Sequence, residues 1–238
     1  MFMKQILILL LTIAGISCVA QGYIINDKYA QTRAIGSFNS IKVSGSIEVF
    51  LSQGGSEALA ISASEEKYRE KIRTEVINGT LTIWYDGEWI SWSGNKKLRA
   101  YVSFKSLNML EASGASGFHI NGTLGLPSLT VKLKGASDLR GTVKISTLII
   151  DLNGASDVKL NGSVGSITID ASGASDVKGY DLIADACTAK LSGASDVNIT
   201  INKELSVHAG GASSVHYKGS AVMKDIHTSG ASSITKTG

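Results

Sequence analysis

The sequence predicts an all-β fold, a parallel β-solenoid with coils of about 19 residues, and three observations carry that reading. The tripeptide Gly-Ala-Ser occurs seven times, beginning at Gly114, Gly135, Gly154, Gly173, Gly193, Gly211 and Gly230, at intervals of 21, 19, 19, 20, 18 and 19 residues. Apolar residues hold fixed positions relative to each of these glycines. The 238 residues include 26 Gly and a single Pro, Pro127, so the glycine excess is not collagen-like and belongs to a periodic architecture. A unit this short cannot bury its own apolar face, whereas stacked units bury a continuous one. A sandwich of antiparallel hairpins would also alternate apolar and polar residues, but it would not require one corner to recur seven times in phase. Right-handed coiling follows from the general rule for parallel connections.

Residues 1–20 read as a secretory signal peptide, with Lys4 near the start, an apolar run from Ile6 to Ile13 and Cys18-Val19-Ala20 before Gln21. That apolar run is too short for a membrane span, and none is expected elsewhere. Cys18 also raises a lipoprotein alternative, which Gly15-Ile16-Ser17 fits poorly. Cleavage after Ala20 leaves Cys187 as the one cysteine and no intramolecular disulfide. The net charge of +3, or about +2 without Lys4, is too weak a field to imply nucleic acid or anionic lipid as a partner.

Residues 21–35 are expected to be a linker, and residues 36–106 an irregular part with a short helix. Phe38 to Leu51 has strand, Gly45 corner and strand, like an early, degenerate coil. Ala58 to Ala63 is a short strand. Ser64 to Lys71 is the best helical signal, with Ser64 as N-cap and acids in the first turn. Arg73 to Ile77, Asn78-Gly79 and Leu81 to Tyr85 read as strand, turn and strand. This portion is expected to cover the first coil.

Residues 107–238 carry the regular repeats. Four before each glycine stand Leu110, Val131, Ile150, Ile169, Ala189, Val207 and Ile226, and two before it Ala112, Leu133, Leu152, Ala171, Leu191, Ala209 and Thr228. Strand alternation makes these inward columns and turns the residues between them outward: Glu111, Lys132, Asp151, Asp170, Lys190, His208 and His227. Four after the glycine the chain is apolar again, from Phe118 to Ile234, and a second turn often holds Gly, as at Gly122, Gly141, Gly162, Gly179 and Gly219. Leu124 to Pro127 falls in the longest interval and is expected to bulge as a loop. The final coil, ending at Gly238, is expected to leave an uncapped edge through which a second copy can pair.

Val43-Ser-Gly-Ser-Ile-Glu-Val-Phe-Leu51, Ile77-Asn-Gly-Thr-Leu-Thr-Ile83, Leu110-Glu-Ala-Ser-Gly-Ala-Ser116, Leu191-Ser-Gly-Ala-Ser-Asp-Val197 and Ser214-Val-His-Tyr-Lys-Gly219 carry a resemblance. Through them residues 36–238 resemble the auto-transporter adhesin head GIN domain family, exported proteins common in Bacteroidetes. The resemblance implies a β-helix similar to pectin-lyase-type solenoids, no catalytic residues, and adhesion as the role. The expected partner is then a surface glycan or another protein, at the cell envelope or outside it.

Several residues are candidates for chemistry. Asp138, Asp157, Asp176 and Asp196 follow four of the corners and should form a row of carboxylates, an arrangement that can hold calcium. Arg140, Lys159 and Lys178 sit two residues further on, and each Asp can accept backbone N–H bonds as an Asx-turn, so structural corners are the preferred reading. Asp151 and Asp170, outward neighbours on adjacent coils, are the enzymatic alternative: a carboxylate pair for polysaccharide hydrolysis or lysis. Lys132 and Lys190 bracket that pair and favour a solvated charge ladder instead. His208 and His227 form another adjacent pair, but metal ligation needs a third or fourth ligand, so no metal site is expected. Cys187 aligns with Leu129, Leu148, Ile167 and Leu205 and reads as a small buried hydrophobe. No cofactor motif, phosphate loop or Ser/His/Asp set occurs. All three tryptophans lie between Trp84 and Trp92, and Trp84, Tyr85, Trp89 and Trp92 form the candidate recognition surface for sugar rings or an apolar partner, unless they close the solenoid's end.

Overall fold

A computed structural model describes residues 27–87 and 96–238; the expected leader, Cys18, Trp89 and Trp92 lie outside the described residues. The chain runs through β1 (Gln31–Arg33), β2 (Ser40–Val43), β3 (Glu48–Gln53), β4 (Ala58–Ser62), α1 (Glu66–Arg69), β5 (Ile72–Ile77), β6 (Thr80–Tyr85), β7 (Arg99–Phe104) and β8 (Met109–Ala112). The long strands follow: β9 (Gly117–Gly135), β10 (Asp138–Gly154), β11 (Asp157–Gly173), β12 (Asp176–Leu191) and β13 (Asp196–Ala209). The last coil and its neighbour hold β14 (Ser214–Lys218), β15 (Val222–Thr228) and β16 (Ser233–Lys236).

From β9 to β13 every coil lies parallel on the next, with like residues in register: Asp138 on Asp157, Leu152 on Ala171, Val177 on Val197. A straight strand of 17 residues such as β10 would span about 56 Å. Each coil instead bends back over its neighbour, and glycines at positive φ mark the bends, Gly141 at 149° and Gly162 at 110°. The predicted inward columns are buried through Ala209 and form one continuous core with Phe118, Leu139, Val158, Val177, Val197 and Val215. The parallel β-solenoid predicted from the repeat is therefore the fold.

The corners explain their own composition. Gly173 has φ 85°, and a Cβ placed on it would stand 2.3 Å from the Gly154 carbonyl oxygen of the preceding coil. That carbonyl accepts the Ala174 N–H at 2.7 Å, and the same bond recurs at Ala136, Ala155, Ala194, Ala212 and Ala231. The serine that ends each tripeptide turns inward. Ser137, Ser156, Ser175 and Ser195 are buried, and their hydroxyls donate to the carbonyls of Lys134, Asn153, Ser172 and Ser192 at 2.9 to 3.2 Å. Serine, not the following aspartate, makes the side-chain bond of these corners; no Asx-turn forms at Asp138, Asp157, Asp176 or Asp196 among the described residues.

Three local features differ from expectation. The extra residues of the 21-residue interval do not loop out at Leu124 to Pro127. Leu124 and Leu126 are buried and in register with Val143 and Ile145, and the register shift falls at Ile120 to Gly122 instead, where Gly122 has φ 75°. Apolar side chains held the core there, and the bend glycine absorbed the insertion. The helix shrinks to a single turn, and its N-cap is Glu65 without a side-chain cap bond. Ser64 lies one residue before the cap position, and its N–H donates to the Lys96 carbonyl at 2.8 Å. Within the expected linker, Gln31–Arg33 forms β1, antiparallel to β4.

The N-terminal coils do not stack in chain order. β2 lies between β6 and β8, and β3 between β7 and β9, so the coil from Ser40 to Gln53 touches the first regular coil and the later β6–β7 coil lies outside it. The hairpin of β5 and β6, turning at Asn78 and Gly79, and the antiparallel β4 and β1 finish this end. Terminal units of a solenoid need such caps. The far end has none among the described residues: Val222, Met223 and Ile226 of β15 are exposed.

Candidate functional site

Two outward faces flank the Gly-Ala-Ser corner. After the corner, one column runs Tyr101, Phe50, His119, Arg140, Lys159, Lys178 and Asn198 in stacking order. Its first three members are stacked rings, Tyr101 on Phe50 at 5.3 Å and Phe50 on His119 at 5.0 Å. Its next three are cations. Beside them stands the predicted carboxylate row. Asp138 accepts from Arg140 at 2.8 Å, and Lys178 bridges Asp157 at 3.2 Å and Asp176 at 3.0 Å, bonds that hold the Lys178 ammonium above the ordinary lysine range. Three of the four carboxylates are thus already paired with cations, which suits the row poorly to calcium, an ion that takes six to eight oxygens. Lys159 forms no ion pair among the described residues.

Below Asp138 the row's column continues with Gly117, whose missing side chain leaves room for neighbours: a Cβ there would stand 2.2 Å from Asp138 Oδ1. Glu48 occupies the adjoining place and accepts a hydrogen bond from His119, which lowers its carboxyl below the ordinary value against the opposing effect of burial.

A groove of about 250 Å³ opens across this cationic stretch, lined by Arg140, Gly141, Lys159, Leu160, Asn161, Lys178, Tyr180 and Asp181. Coil length builds it. The 20-residue interval between Gly173 and Gly193 leaves Tyr180, Asp181 and Leu182 without partners in β13, and the register with β11 also shifts there. A bulge of this kind re-aims side chains, and here it raises Tyr180 and Asp181 as a wall beside the regular 19-residue coils. Lys218 lies over the Tyr180 ring at 4.9 Å. Sequence reasoning missed both wall residues; the departure of one interval from 19 was the available signal.

The other candidates fall elsewhere. Trp84 is half-buried on β6, opposite Arg73 of β5. Tyr85 packs partly against the core, its Cβ and backbone where a side chain on Gly45 would go, with Lys96 over its ring at 4.9 Å. Tyr85 thus fills a corner of the outer coil. Asp151 and Asp170 are register partners on the face before the corner, with Lys132 and Lys190 as the next residues along the column, and neither carboxylate lines the groove. Cys187 is buried between Ile167 and Leu205, and burial pushes its thiol up to about 12, far from a nucleophile's range. His208 and His227 are register partners, and Asp225 joins them. That third residue was missed, although strand alternation places it on the same outward face as His227.

Residues 37–221 match the family described as "Putative auto-transporter adhesin, head GIN domain". The chain belongs to this family. As a head GIN domain protein it is similar to a putative adhesin from Bacteroides fragilis, with a TM-score of 0.80 and 22% identity over 89% of this chain and 98% of that one. A putative adhesin from Parabacteroides distasonis follows the same path with a TM-score of 0.70 and 17% identity, over 87% of this chain and 96% of that one. A putative lipid binding protein from the same species has a TM-score of 0.66 and 17% identity, over 89% and 98%. At these identities the likeness speaks for the shared solenoid. No curated protein matches the chain. Among the described residues, no helix is long and apolar enough to cross a membrane.

Proposed function

We propose that this head GIN domain protein is exported and acts at the cell surface as a non-catalytic adhesion module that binds an acidic glycan in the groove over Arg140, Lys159 and Lys178. The observation that carries this reading is the groove itself, lined by the cations Arg140, Lys159 and Lys178, of which Lys159 forms no ion pair among the described residues, and by the raised Tyr180. Cations recognise carboxylate or sulfate groups, and an aromatic face stacks on a sugar ring. The family's description as an adhesin supports a surface partner. The Trp84 to Trp92 segment is a second contact surface in this proposal, and the open coil at Val222, Met223 and Ile226 is the end through which a second copy pairs. The enzymatic alternative through Asp151 and Asp170 is disfavoured because both lie outside the groove and between lysines.

A glycan array probed with the wild-type protein, Lys159→Ala/Tyr180→Ala and Trp89→Ala/Trp92→Ala tests the reading. Selective loss of acidic-glycan signal in the groove variant supports it. Loss only in the tryptophan variant moves the site to that segment, and no glycan signal at all refutes a glycan partner. Turnover of any polysaccharide that disappears in Asp151→Asn/Asp170→Asn would overturn the non-catalytic assignment. Sedimentation equilibrium of wild type and Ile226→Asp checks the pairing end.

A further inference from the structure

We propose that His208, Asp225 and His227 form a binding site for a divalent first-row transition metal ion, with zinc as its probe. The site lies on the face before the corner, on the last two coils, away from the groove, and stands independently of the glycan reading. His208 Nε2 is 2.8 Å from Asp225 Oδ2, and His227 Nδ1 is 3.0 Å from Asp225 Oδ1. The three donor atoms all lie within 4.8 Å of one another. Zinc bonds of about 2.0–2.1 Å in a tetrahedron place neighbouring donors roughly 3.3 Å apart, so the two Asp225 contacts are already near ligand spacing and the donors farthest apart close by at most about 1.5 Å, within reach of rotation of exposed side chains.

The backbone is arranged for this convergence. β13 and β15 pair in register at Leu205 with Met223 and again at Val207 with Ile226, so Lys224 and Asp225 together oppose the single residue Ser206. This is the one place in β15 where the ladder bulges, and bulges recur beside functional sites because they redirect a side chain. Asp225 is the second residue of this bulge, two before His227 on the same outward face, and its carboxylate reaches both imidazoles. The two rings meet edge to face, centroids 4.7 Å apart and 69° between planes, instead of lying parallel like the rings of Phe50 and His119. Asp225 thereby holds both imidazoles in place before an ion arrives.

Donor chemistry sets the ion. Two imidazoles and one carboxylate suit zinc, copper or nickel. Calcium and magnesium prefer oxygen ligands, of which the cluster offers one residue. All three side chains are exposed, so the remaining coordination positions stay open to water or to a group on a partner. Lys190 lies one coil below His208, and Lys224, beside Asp225 in the chain, pairs with Glu204 at 3.7 Å. The second cluster with a histidine, Glu48, His119 and Asp138, is less suited: Arg140 already bonds Asp138 at 2.8 Å, and His119 is stacked on Phe50 and bonded to Glu48.

The test is calorimetric titration of zinc chloride into the purified, tag-free protein, repeated with His227→Ala, Asp225→Ala and the control His216→Ala. Wild type and His216→Ala should bind one zinc per chain with micromolar affinity, and the two cluster variants should bind roughly 100-fold more weakly or worse, since losing even an outer-shell partner costs about 10–100-fold. Zinc should also raise Tm of the wild type and leave that of His227→Ala unchanged, a readout that shows each variant folded. Absence of saturable binding below millimolar zinc, or equal binding by wild type and Asp225→Ala, overturns the site.

Discussion

Replacing Gly173 by Ala should destabilise the solenoid by about 3 kcal/mol. Gly173 has φ 85°, a left-handed conformation that costs a residue with a Cβ about 1–2 kcal/mol. The added methyl would also stand 2.3 Å from the Gly154 oxygen and 3.1 Å from its carbon and nitrogen, all backbone atoms of the coil beneath. Relief requires the two coils to part, which strains the 2.7 Å bond from Ala174 N–H to that oxygen, and forced shifts of this kind cost about 1–3 kcal/mol. Against these, Ala narrows the unfolded ensemble by about 0.4–1 kcal/mol. Gly122→Ala separates the terms, because Gly122 has φ 75° with nothing within 4 Å of a Cβ, leaving it only the conformational part. Urea unfolding followed by far-ultraviolet circular dichroism should rank wild type, Gly122→Ala and Gly173→Ala in falling order, with the last pair separated by about 1–3 kcal/mol. Equal stability of the two variants would refute the stacked-corner reasoning.

Two further predictions concern buried and charged groups. Cys187, buried with its thiol pushed up to about 12, should not react with a thiol reagent in the native protein at pH 8 and should react fully in denaturant; fast native labelling would contradict its inward position. Glu48 has a folded pKa below its ordinary 4.5 because His119 donates to it, so its contribution to stability is present above that value and is lost as pH falls through the lowered one. Glu48→Gln should therefore lower Tm at pH 7 by an amount that shrinks as pH falls below the ordinary 4.5, whereas a difference that stays constant on acidification would contradict the pairing.

Periodic features were legible because identical residues stack on identical residues. The inward columns, the outward column from Glu111 to His227 and the position of Cys187 all follow from one register, and the structure places them together as alignment on the glycines required. Departures from the period were legible as intervals of 21, 20 and 18 residues, but not the point within each coil where the register slips. The stacking order of β2 and β6 depends on which segment best covers the end, a tertiary choice without local signal. The corner bond went to the serine hydroxyl because Ser175 points inward, where its hydroxyl needs a partner, while Asp176 points toward Lys178 and water. The groove and the histidine cluster arise from register shifts at Tyr180 to Leu182 and at Lys224 to Asp225, so the candidate sites lie where the repeat slips.

Calorimetric titration of a sulfated or uronic-acid polysaccharide into wild type and Lys159→Glu addresses the proposed binding role most directly. Lys159 is exposed, so its reversal should leave the fold intact. Charges meeting at about 4 Å near a surface are worth roughly 1–4 kcal/mol, so binding should weaken by at least about fivefold and, in the wild type, should fall as salt rises. Equal affinity of the two proteins for the polysaccharide would show that the groove over Arg140, Lys159 and Lys178 is not the binding site.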